Sequence, residues 1–274
     1  LSRGRRPRPS RLDRELEAGS LAHYEDAAYY TAIYGQRIDD VAFYVSLARR
    51  AHGPVLEYGV GNGRIAIPMA RHGVEVVGVD HSTAMLADLR ARLAREPGEV
   101  RKRVRAVRGD MRRARLGRRF GLVMATFNTV LHLYSRADVE RFLARVREHL
   151  APSGRFVADL SMPPLSDLAR DPARAYHAPR FRHPTRGVVV KNREHFDYDP
   201  ARQVLFVSME FEPVDKPATA WMVPLAHRQF FPQEWEALLH YNGFAVERLD
   251  GDFQGGPLAK NSDVMVWTAR RRRS

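Results

Sequence analysis

Apolar positions along this chain follow two rhythms, and the switching between them marks out its elements. From residue 54 to residue 160, short apolar runs alternate with segments whose apolar residues recur at helical spacing. The first pattern suits strands buried on both faces, and the second suits amphipathic helices. Strands are predicted at the run holding Val55 and Leu56 and at residues 75–80 (EVVGVD), 104–110, 120–127 (FGLVMATF) and 155–160. Between them lie a short helix over 65–72, with Pro68 past its first turn, and a helix capped by Ser82 that gathers Met85, Leu86, Leu89 and Leu93 on one side. A third, from Ser135, turns Val139, Phe142, Leu143, Val146 and Leu150 inward. Pro97 and Gly98 stop the second helix, and Pro152, Ser153 and Gly154 stop the third. Alternating strands and helices of this kind predict a doubly wound parallel sheet.

The flanks read differently. Residues 1–19, rich in Arg, Pro, Ser and Gly, carry no apolar period and are expected to form a disordered basic tail. Two helical segments follow, one with Tyr24, Ala27, Ala28, Ile33 and Tyr34 on its faces and one over 39–50 with Val41, Phe43, Tyr44, Leu47 and Ala48. Past residue 161 the alternation breaks. Extended segments are predicted at 187–198, 203–211 and 221–230, with a turn over 199–202, and Leu205, Val207, Met209 and Phe211 share one apolar face. Residues 162–231 are therefore expected to be an antiparallel insertion that caps the carboxyl edge of the main sheet. A last helix starts at Pro232, buries Trp235, Leu238 and Leu239, and ends at Asn242-Gly243. Strands over 244–249 and 264–269 close the chain, so the core is expected over 20–161 and 232–270.

Composition adds bounds. With 274 residues and 44% apolar content the chain can build a sizeable core. It has no cysteine, which excludes disulfides, thiolate nucleophiles and Cys-ligated metal sites. No run is long enough to span a membrane and no apolar leader opens the chain, so a soluble, cytoplasmic protein is expected. A net charge of +13 raises nucleic acid as a partner. Only four of the 45 basic residues are lysine, however, a bias that coding composition also produces. Much of the excess lies in residues 3–11, 101–119 and 270–273.

The chemistry centres on residues 54–64, PVLEYGVGNGR. Gly59, Gly61 and Gly63 stand at alternate positions between a strand and a helix start, where a ligand can approach the main chain. Gly61-x-Gly63-x-x-Ala66, with Asp80 further on, also meets the dinucleotide fingerprint. A dinucleotide enzyme would begin a second β-α-β-α-β half where this chain instead closes with a hairpin. Asp80 ends the second strand, Gly109-Asp110-Met111 follows the third, and Phe127-Asn128-Thr129 follows the fourth. All of them fall at the switch-point crevice, where open α/β sheets bind ligands.

The motifs VLEYGVGNGRIAIPMARHG, VVGVDHSTAML, VRGDM and FNTVLHL resemble those of the class I S-adenosylmethionine-dependent methyltransferases, most strongly over residues 21–161. The resemblance implies a Rossmann-like seven-stranded sheet with an antiparallel last strand and S-adenosyl-L-methionine as cofactor. It implies that Asp80 accepts both ribose hydroxyls, and that Asp110 and the Met111 N–H meet the adenine. The three glycines would admit the methionine part, Glu57 would order the turn or receive the ammonium, and Arg64 would pair with the methionyl carboxylate. His81 and Met85 would pack on adenosine, and Tyr34, Asn62, Phe127 and Asn128 would complete the cofactor set. Two residues depart from the pattern: Tyr58 before the first glycine and Gly121 where an acid is common.

Methyl transfer is an in-line displacement, and alignment alone can contribute about 7–11 kcal/mol. His132, just past the fourth strand, is the candidate base, with hydrogen bonding or packing as its other role. Tyr24, Tyr30, Tyr34 and Tyr134 are expected around the acceptor, with Arg228 holding an anionic group or pairing with an acid. FNTV lacks the N/D-P-P-Y/F/W pattern of enzymes that methylate exocyclic or amide nitrogens, and no metal-ligand cluster is visible. The expected substrate is a small molecule, most simply an amine. The alternatives are an RNA methyltransferase using the 101–119 arginines, and a cofactor-binding partner without catalysis.

Overall fold

The computed structural model describes residues 10–272. Three helices come first: α1 (Arg11–Leu21), α2 (Ala27–Tyr34) and α3 (Asp39–Arg50). The alternating part runs β1 (Val55–Tyr58), α4 (Ala66–Arg71), β2 (Val76–Asp80), α5 (Thr83–Leu93), α6 (Gly98–Arg103), β3 (Val104–Arg108), β4 (Phe120–Ala125), α7 (Arg136–His149) and β5 (Leu150–Ser161). The short α8 (Leu165–Leu168) leads into β6 (Tyr176–Arg182), β7 (Val189–Asp199), β8 (Val204–Pro213) and β9 (Trp221–Arg228). The chain ends with α9 (Pro232–Tyr241), β10 (Phe244–Asp250) and β11 (Val264–Arg271). Among the described residues no helix is long and apolar enough to cross a membrane.

Seven strands form the main sheet in the order β10-β11-β5-β4-β1-β2-β3. β1 pairs in parallel with β2 and β4, whereas β11 runs antiparallel to both β5 and β10. β1 is buried along its whole length. Alternation then sorts its residues by face: Leu56 and Tyr58 join Phe142, Trp235 and Trp267, while Val55 joins Tyr44, Ile67 and Leu86. Tyr58 fits because its hydroxyl reaches Nδ1 of His149 on α7, 2.7 Å away. Ser82 and Ser135 cap α5 and α7 as expected, accepting from the N–H groups of Met85 and Asp138.

The remaining strands form a separate antiparallel sheet, β6-β7-β8-β9. Its apolar face carries Met209 and Phe211 against Tyr29 of α2. The expected three extended segments are β7 to β9; β6 is an addition.

Three expectations need correction. Of the tail read as disordered, residues 1–9 lie outside the described residues, but Arg11 onward is helical. A capping box between Ser10 and Asp13 starts α1 and an Arg11–Glu15 pair follows, while Gly19 is buried against β9, where an added Cβ would sit 2.5 Å from that of Ala226. The helix capped by Ser82 ends at Leu93, ahead of Pro97 and Gly98, but these two do not open a loop to β3: they start α6. The stop at 152–154 falls inside β5, which begins at Leu150 opposite Phe120 and shifts register before Arg155.

Candidate active site

The loop after β1 folds back on β2. Gly59 and Val60 donate to the Val79 carbonyl at 2.8 and 3.2 Å, and Gly59, Gly61 and Gly63 take φ values of 69°, 53° and 79°, the left-handed region that favours glycine. Asp80 locks this turn to the start of α5: one carboxylate oxygen accepts from the Gly61 N–H and the other from Ser82 N–H, each at 2.8 Å. A carboxylate has about four acceptor positions, so two remain for a ligand's donors.

Glu57 stands at the floor. Thr126 Oγ1 donates to one of its oxygens at 3.1 Å, while the other is buried without a partner. Burial pushes its pKa up to about 8, against the Thr126 hydrogen bond and the Arg64 charge. A cationic group brought to the free oxygen would relieve that cost.

After β4 the chain passes through two left-handed residues that are not glycine, Phe127 at φ 51° and Asn128 at φ 64°. Asp159 holds the first through Phe127 N–H at 2.8 Å and itself accepts from Tyr44 Oη at 2.6 Å. Burial raises Asp159 to about 6 despite these bonds. Asn128 turns its side chain to Ser161, accepting from Ser161 N–H at 2.7 Å.

One cavity of about 290 Å³ gathers Glu57, Gly59, Gly61, Asn62, Arg64, Asp80, His81, Met85, Asp110, Met111 and Phe127 with Tyr24, Tyr30 and His132. Those are most of the residues singled out from sequence. Tyr34, Gly63, Asn128, Tyr134 and Arg228 do not line it. Tyr34 stands one ring behind, 4.9 Å from Tyr30 and 5.1 Å from Phe127. Gly63 serves packing, since a Cβ there would meet Leu89.

Four of the singled-out residues are already engaged by partners within the protein. Arg64 lines the cavity but spends both terminal nitrogens on Asp40, at 2.7 and 2.6 Å, and lies over the Phe127 ring. It is a bidentate partner of a buried carboxylate rather than an open carboxylate receptor. Asp110 accepts from Arg112 main chain and guanidinium at 2.8–3.1 Å. Burial opposes its charge, but those bonds hold its pKa below the usual range. Arg228 pairs with Glu234 and Gln203, at 2.5 and 2.7 Å, so the acid-pairing alternative describes it. Tyr134 donates to the Ala226 carbonyl at 2.9 Å.

Tyr134 also decides the state of His132. Its proton goes to Ala226, so its oxygen faces His132 Nδ1 as an acceptor at 3.3 Å. Nδ1 then carries the hydrogen, and Nε2 accepts from the Tyr24 hydroxyl at 2.8 Å. Burial, reinforced by His227, His81 and His23, drives the His132 pKa well below its ordinary value. The ring is neutral and both nitrogens are engaged, so Tyr24 and His132 meet the cavity as a hydrogen-bonded pair.

Sequence reading missed Glu17, Ser20 and Leu21 of α1, which form the outer wall where the insertion was expected; no residue of 162–231 lines the cavity. The signal available was the S-x-x-D pattern at Ser10. It also missed Arg112, whose capture of Asp110 takes one arginine out of the 101–119 run. Arg115 and Arg118 are paired as well, with Glu148 and Glu75.

Comparison with known proteins points the same way. A family model described as a methyltransferase domain matches residues 55–154. A curated relative, the dTDP-3-amino-3,6-dideoxy-alpha-D-glucopyranose N,N-dimethyltransferase of Streptomyces fradiae, is 32% identical over 152 residues. That match covers 52% of this chain and 56% of the relative, so it spans little more than half of that protein. The CcbJ methyltransferase from Streptomyces caelestis superposes with a TM-score of 0.76 over 93% of this chain and 99% of its own, at 24% identity. The glycopeptide N-methyltransferase MtfA, in complex with S-adenosyl-L-methionine, gives a TM-score of 0.59 at 26% identity over 85% of this chain and 87% of its own. The matched segment and the strand order agree: residues 55–154 carry a methyltransferase domain, and the chain has the fold of known methyltransferases, among them one solved with S-adenosyl-L-methionine.

Proposed function

We propose that this protein transfers a methyl group from S-adenosyl-L-methionine to an amine nitrogen of a small molecule. The observation that carries the reading is that one cavity joins the cofactor-side acids, Glu57 and Asp80, to the Tyr24–His132 pair. The residues fit the cofactor: the unpartnered Glu57 oxygen suits its ammonium, and the two open acceptor positions of Asp80 suit the ribose hydroxyls. When bound, the cofactor supplies a methyl group on a sulfonium, already activated for displacement.

The protein's task is then alignment. Tyr24 commits its proton to His132, so its oxygen is the acceptor offered to an amine N–H, which aims the nitrogen lone pair. Neutral His132 is a positioning residue that acts through Tyr24. An amine acceptor is supported by the names of the relatives, an N,N-dimethyltransferase of an amino sugar and an N-methyltransferase of glycopeptides.

The test is calorimetry followed by turnover. Binding of S-adenosylmethionine but not NAD, and tritiated methyl transfer to dTDP-linked 3-amino-3,6-dideoxyglucose or another primary amine, is expected. Tyr24→Phe should lower kcat about 10- to 100-fold with cofactor affinity unchanged. Binding of NAD instead, or methyl transfer to RNA and not to amines, would sink the proposal.

A further inference from the structure

Two buried acids flank the exit of β4, and consecutive residues of that exit bind them. Thr126 Oγ1 donates to Glu57 of β1, and Phe127 N–H is shared between both oxygens of Asp159 of β5, at 2.8 and 3.0 Å. Phe127 and Asn128 then take the left-handed φ values that residues other than glycine avoid. Such strain persists only where the surroundings over-determine it, and it clusters at functional sites.

Here the restraints can be named. The Asp159 carbonyl accepts from Asn128 N–H at 3.3 Å, and the Asn128 side chain accepts from Ser161 N–H at 2.7 Å and donates to Ser161 Oγ at 2.8 Å. The Asp159 carboxylate is buried, and besides Phe127 its side-chain partner is the Tyr44 hydroxyl of α3, at 2.6 Å. A hydroxyl donating to a carboxylate at that distance is a strong, charge-assisted bond. Tyr44 keeps its place by packing on Phe43 and Phe253, so its ring does not depend on that bond.

Neither Tyr44 nor Asp159 lines the cavity, but Thr126, Phe127 and Thr129 do. The Phe127 ring carries the guanidinium groups of Arg64 and Arg37 at 4.9 and 5.1 Å. Thr129 closes on the glycine turn, where a Cβ at Gly59 would collide with its hydroxyl. One whole wall of the cavity therefore hangs from Asp159 by hydrogen bonds.

We infer that Tyr44 and Asp159 are positioning residues for methyl transfer: they fix the left-handed turn after β4, and through it the wall formed by Thr126, Phe127 and Thr129. This rests on the amine-methylation reading and deepens it. The ionised carboxylate suits the role best, because a charged acceptor holds Phe127 N–H more strongly than a neutral acid. Tyr44 and Asp40 of α3, Arg64 after β1 and the Phe127 amide are the groups that act on it. Burial raises Asp159 to about 6; Tyr44, Phe127 and Arg64 hold it down, and Asp40 pushes it up. Removing the Tyr44 hydroxyl takes away a stabiliser of the charged form and moves the pKa higher.

Tyr44→Phe decides the matter with two readouts. In nuclear magnetic resonance the Phe127 amide should titrate near pH 6 in the wild type, and about half a pH unit or more higher in the variant. In turnover with saturating S-adenosylmethionine and dTDP-linked 3-amino-3,6-dideoxyglucose, kcat should fall on acidification with the same two midpoints. At pH 7 the variant should be about 5-fold slower, with both KM values within about 3-fold. Asp159→Asn, neutral at every pH, should be slower throughout and lack this acid limb. An amide that does not titrate, or titrates alike in wild type and variant, removes Asp159 from control of the turn and overturns the inference. An amide shift without a matching shift in kcat, or a lower Tm with kcat and its limb unmoved, also overturns it, as the mark of a merely structural role. If the wild type methylates no amine while the amide still titrates, the methylation reading is what fails.

Discussion

Asp80 carries two loads, and they separate by substitution. Its carboxylate ties the Gly61 and Ser82 amides together and presents its remaining acceptor positions to the cavity. A hydrogen bond to a charged group is worth about 1.5–3 kcal/mol. Asp80→Ala should therefore weaken S-adenosylmethionine at least about 100-fold by calorimetry, with Asp80→Asn in between because it retains one acceptor. Unchanged affinity would remove Asp80 from the cofactor site. Arg64 makes the opposite prediction. Since Asp40 is fully buried and depends on it, Arg64→Met should cost about 3–5 kcal/mol in denaturant unfolding, and Asp40→Asn added to it should restore part of the loss. The sequence discloses Asp80 because strand, glycine turn and acid come in a fixed order. It cannot disclose the Asp40–Arg64 pair, whose partners lie 24 residues apart on elements that meet only when packed.

At the scale of elements, period was legible and docking was not. The strands of the parallel sheet are apolar enough to be read directly, and so are the faces of α5, α7 and α9. The β6 strand hides because Pro179 interrupts an edge strand whose register shifts between Ala178 and Phe181. Helix α1 hides because its apolar content is low and its stability comes from capping and from β9. That origin is testable. The Cβ of Gly19→Ala would meet the Ala226 main-chain nitrogen at 2.7 Å, so α1 should lift away. Amides of residues 11–21 should lose hydrogen-exchange protection while β1 and β4 keep theirs. Cofactor affinity should fall about 10-fold as the wall formed by Glu17, Ser20 and Leu21 opens. Full protection of α1 in the variant would mean that its contact with β9 is not what holds it.

For the molecule as a whole, buried ionisable groups set opposite limits in pH. Burial holds His23 at about 4 and His227 at about 3, the latter helped by His23. The unfolded chain protonates its histidines near about 6.5, so it takes up protons first as pH falls. The stability is fully present above that value and is lost as pH drops toward 4, by a few kcal/mol in order of magnitude. Tm should decline across this window, and His23→Gln should flatten the decline. Glu57 acts with the other sign. Its folded pKa of about 8 lies above the unfolded value, so its burial favours the folded state at low pH and opposes it as pH rises through 8. That same shift yields a signature of cofactor binding. At pH 7 a carboxyl group with a pKa of 8 is about nine-tenths protonated. If the cofactor's ammonium meets the unpartnered Glu57 oxygen, the proton must leave. Calorimetry in buffers of different ionisation heat should then register release of about 0.9 proton at pH 7, declining to none above about pH 9. Glu57→Gln should abolish the release. Binding heats independent of the buffer in the wild type would mean that Glu57 stays protonated, leaving it to order the turn through Thr126 and the ammonium to be held elsewhere.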